Sequence, residues 1–287
     1  MFEENYLGLS VIREKMNQQQ TAQELLTYRV ALGVEYCGLN YCGWQFQKHS
    51  IGVQQRLEEA LSTVADHKIQ TVCAGRTDTG VHAVGQVVHF ETHSQRPLKA
   101  WTLGTNANLP DDISVTWAKV VADDFSARFS ATNRSYRYVL LNRLHRSALL
   151  NGRVTKVATS LNIEAMQLAC PYFLGEQDFS SIRAANCQSN TPWRNISRLE
   201  VSKQGDFVVI DVTANAFLYH MVRNIVGVLL SVGQGQHSPE WVKSLLDAKD
   251  RTKAPATAPA SGLYLTMVEY PTAFDLPITD SRLFLMG

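Results

Sequence analysis

The chain has 287 residues, with 27 Lys and Arg against 26 Asp and Glu and a formal net charge of +1. That length accommodates one large or two ordinary domains, with enough apolar content for a core, and the near-zero charge excludes a polycation. The longest apolar run, Ile225 to Leu230, is far too short for a membrane span, and the first residues lack the basic-then-apolar order of a secretory signal. Cys37, Cys42, Cys73, Cys170 and Cys187 form neither an even disulfide set nor a paired Cys-x-x-Cys zinc pattern, which points to a reduced, cytoplasmic compartment. Cys37 and Cys42 flank a turn and read as packing residues rather than ligands.

Residues 1–27 are polar, carry Gln18-Gln19-Gln20 and read as a loosely ordered N-terminal extension. Tyr28 to Tyr36 alternates like a strand. Val53, Leu57, Ala60, Leu61 and Val64 have the spacing of one helix face. Gln70 to Cys73 is short and β-prone, and Gln86 to Phe90 alternates as a strand. After the turn-rich segment Asn106 to Asp112, Val115 to Val121 reads as a strand.

A second set opens with the strand Tyr136 to Leu141. Leu161 to Leu174 predicts a helix, then Trp193 to Val201 and Phe207 to Ala214 predict strands. His220 to Val232 predicts a helix closed by Gly233 as a left-handed cap, Pro239 to Leu246 another helix, and Tyr264 to Tyr270 a last strand. Residues 253–260, rich in Ala and Pro, resemble a linker, but the strand that follows argues for an ordered loop. The doubled strand, helix and strand pattern, joined near residue 130, predicts an α+β fold with mostly antiparallel sheet, its two halves at 28–130 and 131–287.

The segment Ala74-Gly-Arg-Thr-Asp-Thr-Gly-Val-His-Ala83 is too polar for core and sits between two β-prone stretches. Asp78 therefore falls on a tight connection at a strand end, where a rigid scaffold can aim it into a cleft. Gly75 and Gly80 open backbone angles closed to other residues. An Asx turn before Gly80 is the structural alternative for the same letters. Asp78-Thr79-Gly80 also spells the aspartic-protease signature, but that chemistry needs two such loops sharing one proton, and Asp280-Ser281-Arg282 lacks the glycine.

Charge is unevenly placed. Between Phe125 and Ile163 there is no acid, whereas Arg128, Arg134, Arg137, Arg143, Arg146, Arg153 and Lys156 all fall there, interleaved with Phe129, Tyr136 and Tyr138. That composition suits phosphate and base contacts; a solvated strand face balanced by distant acids is the alternative. The helix from His220 is apolar on most sides, yet Arg223 lies in its first turn. An arginine buried there requires a carboxylate opposite, for which Asp78 is a candidate, unless it snorkels to solvent.

Further blocks occur in order: Tyr36-x-Gly-x-x-Tyr-x-Gly-Trp-Gln45, Asn108-Leu-Pro-x-Asp-Ile113, Phe125-x-Ala-Arg-Phe-Ser130, Tyr136-Arg-Tyr138, His220-Met-Val-Arg-Asn-Ile-Val-Gly227 and Thr257-Ala-Pro-Ala-x-Gly-Leu263. With the Asp78 segment they closely resemble the bacterial tRNA pseudouridine synthase A family, from about residue 28 to the C-terminus. Two departures are visible: Cys37 replaces the acid usual in the first Tyr-x-Gly turn, and Thr79 stands where alanine is common.

The resemblance implies two ferredoxin-like halves joined around a central catalytic cleft. It implies conversion of uridine to pseudouridine at positions 38, 39 and 40 of the tRNA anticodon stem-loop, by a homodimer, with no cofactor and no metal. It makes Asp78 the nucleophile, Arg223 its charge partner and Tyr136 the ring that stacks on the target base, with a hydroxyl able to carry a proton. Arg76 matches the residue that fills the space vacated by the flipped base, and Leu263 the apolar pocket wall. Arg128 is a further substrate-binding candidate, and His82 reads as a loop histidine satisfied by backbone. Attack at ribose C1′, attack at uracil C6 and abstraction of a sugar proton all place the same demand on Asp78. A non-catalytic tRNA-binding protein would need the basic block but not Asp78. A glycosidase-like enzyme would need a second carboxylate, such as Asp111, Asp112 or Asp211.

Overall fold

A computed structural model of the chain describes residues 27–278. The expected extension, except Thr27, and the last residues of the C-terminal half lie outside the described residues. Ten strands form one sheet: β1 Tyr28–Tyr36, β2 Val72–Cys73, β3 His82–Thr92, β4 Ile113–Val121, β5 Asn133–Asn142, β6 Thr155–Val157, β7 Gly175–Asp178, β8 Trp193–Gln204, β9 Phe207–Ala214 and β10 Leu263–Glu269. The α-helices are α1 Val53–Ala65, α2 Ile163–Ala169, α3 Met221–Gly233 and α4 Trp241–Asp247. Strand order is β4-β1-β3-β10-β5-β9-β8-β7, with β2 on β3 and β6 on β5. Pairing is antiparallel except at β3–β10 and β5–β6. The fold is thus a mixed one, with a large, mostly antiparallel sheet and few helices.

The seam is the parallel pair of β3 and β10, registered at His82 with Tyr264 and Ala83 with Leu265. Backbones approach so closely there that a Cβ on Gly85 would stand 2.2 Å from the Thr266 carbonyl oxygen. Both faces of the sheet are covered. Val30, Leu32 and Val34 pack into the main core with Leu57 and Leu61 of α1, while Ala31 packs on the opposite side with Val87, Phe125 and Ala127. That explains why β1 carries few polar residues.

Several expectations need correction. The helix expected over 161–174 runs only from Ile163 to Ala169, because Asn162 Oδ1 accepts the Ala165 N–H at 3.0 Å and starts it. It then tightens into a 3-10 turn, Cys170–Phe173, where Pro171 has no N–H to continue the ladder. Gly233 is not the left-handed cap of α3; it is helical, and a Cβ there would meet Met166 Sδ at 2.7 Å. The left-handed turn falls two residues later, at Gly235, with φ of 74°. The short strands β6 and β7 and a wide turn over Ala100–Gly104 have no signal in the pattern. Residues 253–260 are an ordered loop, as the following strand suggests.

His89, on β3, is buried, and its Nδ1 accepts the Ala127 N–H at 3.0 Å, tying the 125–130 turn to the sheet. Burial, followed by the charge of Arg29, pulls its pKa from 6.5 down to about 4. Between those values the unfolded chain binds a proton that the folded chain does not. This contribution to stability is therefore complete above about pH 6.5 and is lost as pH falls toward 4. A series of thermal melts should show falling stability across that window. His89→Gln, which keeps an acceptor but does not titrate, should flatten the slope; an unchanged slope refutes the assignment.

Candidate active site

The loop carrying Asp78 is held from several sides before any functional group is considered. The buried Gln86 donates from Nε2 to the Gly75 carbonyl at 2.7 Å. Buried Tyr36 shares a 2.8 Å hydrogen bond with Thr77 Oγ1, and the Trp44 N–H donates to the Thr77 carbonyl at 3.0 Å. Arg134 donates to the carbonyls of Ala74 and Arg128 through Nη2, and to those of Ala131 and Asn215 through Nη1. Gly80 takes the left-handed φ of 77° that the tight turn requires, and the Val81 N–H closes it on the Asp78 carbonyl at 3.1 Å. Gly75 has no positive φ, and a Cβ there would make only an ordinary contact, 3.7 Å from the Tyr136 hydroxyl, so neither the backbone nor the space calls for glycine.

Asp78 meets Arg223 across the seam. Arg223 Nη1 lies 3.3 Å from Asp78 Oδ2, with side-chain exposures of 16% and 24%. Arg223 is not snorkelling: its Nε donates to the Ala258 carbonyl at 2.8 Å, and the Ala258 N–H returns to the Arg223 carbonyl at 3.1 Å. Loop 254–258 is fixed in turn by Arg251, which donates to Ala254, Pro255, Asn224 and Thr257. Gly227 lets that loop lie against α3, because a Cβ there would stand 2.3 Å from the Ala256 carbonyl oxygen. A further partner of Asp78 has no role in the sequence reading: His220 Nε2 lies 3.3 Å from the same Oδ2.

These groups open on a cleft of about 1200 Å³. Tyr136, on β5, forms part of its wall, edge-on to Phe217 with ring centres 5.0 Å apart. Burial and then the charge of Asp78 push the Tyr136 hydroxyl well above the usual tyrosine range, so it stays protonated at neutral pH. Leu263, at the start of β10, is a buried apolar part of the wall. Arg76 and Arg128 are exposed on it, the latter 5.2 Å from the centre of the exposed Phe129 ring. Every sequence-predicted site residue therefore reaches one cleft. Among the described residues lining it, Asp78 is the only carboxylate, against Arg76, Arg128, Arg134, Arg194 and Arg223.

The basic block is divided by the fold. Arg137 pairs with Asp211 at 2.8 Å and Arg143 with Asp206 at 3.4 Å, so these two follow the balanced-surface alternative. Asp111 and Asp112 line a different hollow, and Asp211 is committed to Arg137. His82 is buried, its Nδ1 accepting the Gly38 N–H and its Nε2 bonded to the Gly152 carbonyl, each at 3.1 Å. That is the backbone-satisfied role expected of it, although it lies on β3 rather than in the loop. Sequence reasoning did not single out Gln86, Tyr36, Arg134 or the loop clamp Arg251. The available signals were a polar residue inside an apolar run for Gln86 and an arginine in an acid-free segment for Arg134; Arg251, next to Asp250, gave none.

A lone acid on the wall of an arginine-lined cleft defines a class by its chemistry: a site for a polyanion, with one anionic group aimed at it. The family model described as "tRNA pseudouridine synthase" matches residues 33–130 and 169–271. The chain belongs to the tRNA pseudouridine synthase family. It is 59% identical over 249 residues to "tRNA pseudouridine synthase A" of Mannheimia succiniciproducens, covering 87% of this chain and 95% of that one. The protein of the same name from Vibrio cholerae is 55% identical, with 87% and 94% covered, and that from Haemophilus ducreyi 57%, with 88% and 96% covered. Among solved structures, a Cbf5-Nop10-Gar1 complex has 12% identity and a TM-score of 0.33, covering 82% of this chain and 57% of that one, a likeness too weak to bear on the fold.

Gln86→Leu keeps the side chain's bulk but leaves the Gly75 carbonyl without its buried donor. Chemical denaturation should show a loss of about 1–3 kcal/mol, and limited proteolysis should cut sooner within residues 74–81. A variant as stable as the parent would remove Gln86 from the support of the loop.

Proposed function

We propose that the protein converts uridine to pseudouridine at positions 38, 39 and 40 of the tRNA anticodon stem-loop, acting in the cytoplasm as a homodimer. The observation that carries this reading is the contact of Asp78 with Arg223 inside an arginine-lined cleft beside Tyr136. Family membership supplies the reaction; the cleft supplies groups suited to each of its steps.

The isomerisation breaks the bond between ribose C1′ and uracil N1, turns the base and rejoins it through C5, which gives up its proton while N1 gains one. Asp78 acts as the nucleophile, and Arg223 pairs with it across the seam. Tyr136 stacks on the extruded uracil; stacking of this kind is worth about 1–3 kcal/mol per base. Its hydroxyl, held protonated, can donate but does not serve as an anionic base. Leu263 closes the apolar side of the pocket. Arg76 and Arg128 hold phosphate, Arg76 also entering the gap left in the stem by the flipped nucleotide.

We further infer that the units 28–130 and 131–287 are ferredoxin-like repeats. Supporting this, β1, α1, β2, β3 and β4 lie in sheet order β4-β1-β3-β2, and β5, α2, β8, β9, α3 and β10 in the matching order β10-β5-β9-β8.

Asp78→Asn should abolish pseudouridine formation, mapped at single-nucleotide resolution in unmodified tRNA, while gel-shift affinity survives. Full activity in that variant would refute Asp78 as the nucleophile, whereas tRNA binding with no pseudouridine formed by the parent protein would favour the non-catalytic tRNA-binding reading. Tyr136→Phe separates ring from hydroxyl: a rate close to the parent's assigns the ring alone, whereas a fall of roughly a hundredfold or more assigns proton transfer to the hydroxyl.

A further inference from the structure

Arg223 Nε is committed to the Ala258 carbonyl at 2.8 Å, which rules out a side-on fork on Asp78. It reaches the carboxylate through Nη1, on Oδ2, at 3.3 Å. A single donor fixes one oxygen but leaves the carboxylate free to turn about its Cβ–Cγ bond; a bidentate arginine would prevent that. The second contact comes from His220, whose Nε2 lies 3.3 Å from the same Oδ2. We propose that His220 is a positioning residue: with Arg223 it grips Oδ2 from two directions and leaves Oδ1 as the oxygen that meets the substrate. This rests on the pseudouridine synthase reading and deepens it.

The backbone at His220 supports the assignment. It is the N-cap of α3, yet its φ of 58° and ψ of 10° are left-handed, a conformation unfavourable for a residue with a Cβ. A helix N-cap ordinarily has an extended backbone and uses its side chain to satisfy a helical N–H; His220 makes no such cap bond. The ring is instead stacked on Tyr219, centres 3.9 Å apart, which fixes its plane. The charged groups acting on it are Asp78, Arg223 and Arg251. Burial lowers its pKa and the two arginines add to that, outweighing Asp78, so the ring is neutral at neutral pH. A neutral imidazole protonated at Nε2 can offer Oδ2 an N–H; at 3.3 Å the two atoms are in close contact without forming an aligned hydrogen bond.

His220→Gly keeps the left-handed backbone without steric cost and removes the ring. His220→Gln supplies an N–H donor of comparable reach. Both should be assayed with the full chain on unmodified tRNA, recording kcat and KM, with thermal melts alongside. In His220→Gly, kcat should fall roughly ten- to a hundredfold with KM unchanged and no loss of melting temperature. His220→Gln should recover much of the rate. Parental kcat in His220→Gly, or an equal loss in both variants accompanied by lower melting temperatures, would overturn the positioning role. No pseudouridine from the parent protein would overturn the proposed activity itself, which tells the two failures apart.

Discussion

The contact between Asp78 and Arg223 is the constraint on which the site depends. Both side chains are mostly sheltered, at 24% and 16% exposure, so neither charge can be left alone cheaply. Removing one partner of a buried pair typically costs about 3–5 kcal/mol, and water reaching this cleft reduces that figure. The surrounding hydrogen bonds make sense as support for the pair. Gln86, Tyr36 and Arg134 hold the Asp78 side, while Ala258, Arg251 and Asn224 hold the Arg223 side.

The parallel seam explains why these two sides meet. Parallel strands bring the segments that precede them to the same end of the sheet. The Asp78 loop runs directly into β3 at His82, and the Ala258 loop runs into β10 at Leu263. Since His82 is registered with Tyr264, the loops arrive side by side, one carrying the acid and the other holding its counter-ion. The same register places Leu263 on the cleft wall and puts Tyr136 opposite Leu265 on the next strand. An antiparallel seam would have sent the loops to opposite ends.

Much of this was legible in the chain, and the rest was hidden for a physical reason. Asp78 stood out because a polar, glycine-punctuated segment between two apolar strands has no use in a core. Arg223 stood out because a cation in the first turn of an otherwise apolar helix needs a partner. Gln86 did not, since one polar residue in a strand is also what ordinary inside-outside alternation produces; only the fold shows it pointing at Gly75. His220 looked like an ordinary helix start, and its left-handed backbone cannot be read from residue type. Local pattern reports which groups are out of place, while the partner that resolves each anomaly is set by contacts far apart in the sequence.

The arginines make the same point about charge. The acid-free run from Phe125 to Ile163 looks like a binding stripe, yet Arg137 and Arg143 turn to acids on neighbouring segments and Arg134 spends its donors on backbone carbonyls. From that run Arg128 remains exposed on the cleft, where it is joined by Arg76, Arg194 and Arg223 from distant segments. A polyanion would therefore meet a field assembled by the fold rather than by a stretch of chain. Because that field is cationic nearly everywhere around Asp78, the cleft suits a polyanion, and the proposed activity leaves the single carboxylate for the sugar or base. Under that proposal, binding and chemistry are divided between groups of opposite sign, a division that lets the carboxylate be held rigidly without weakening the hold on the backbone of an RNA.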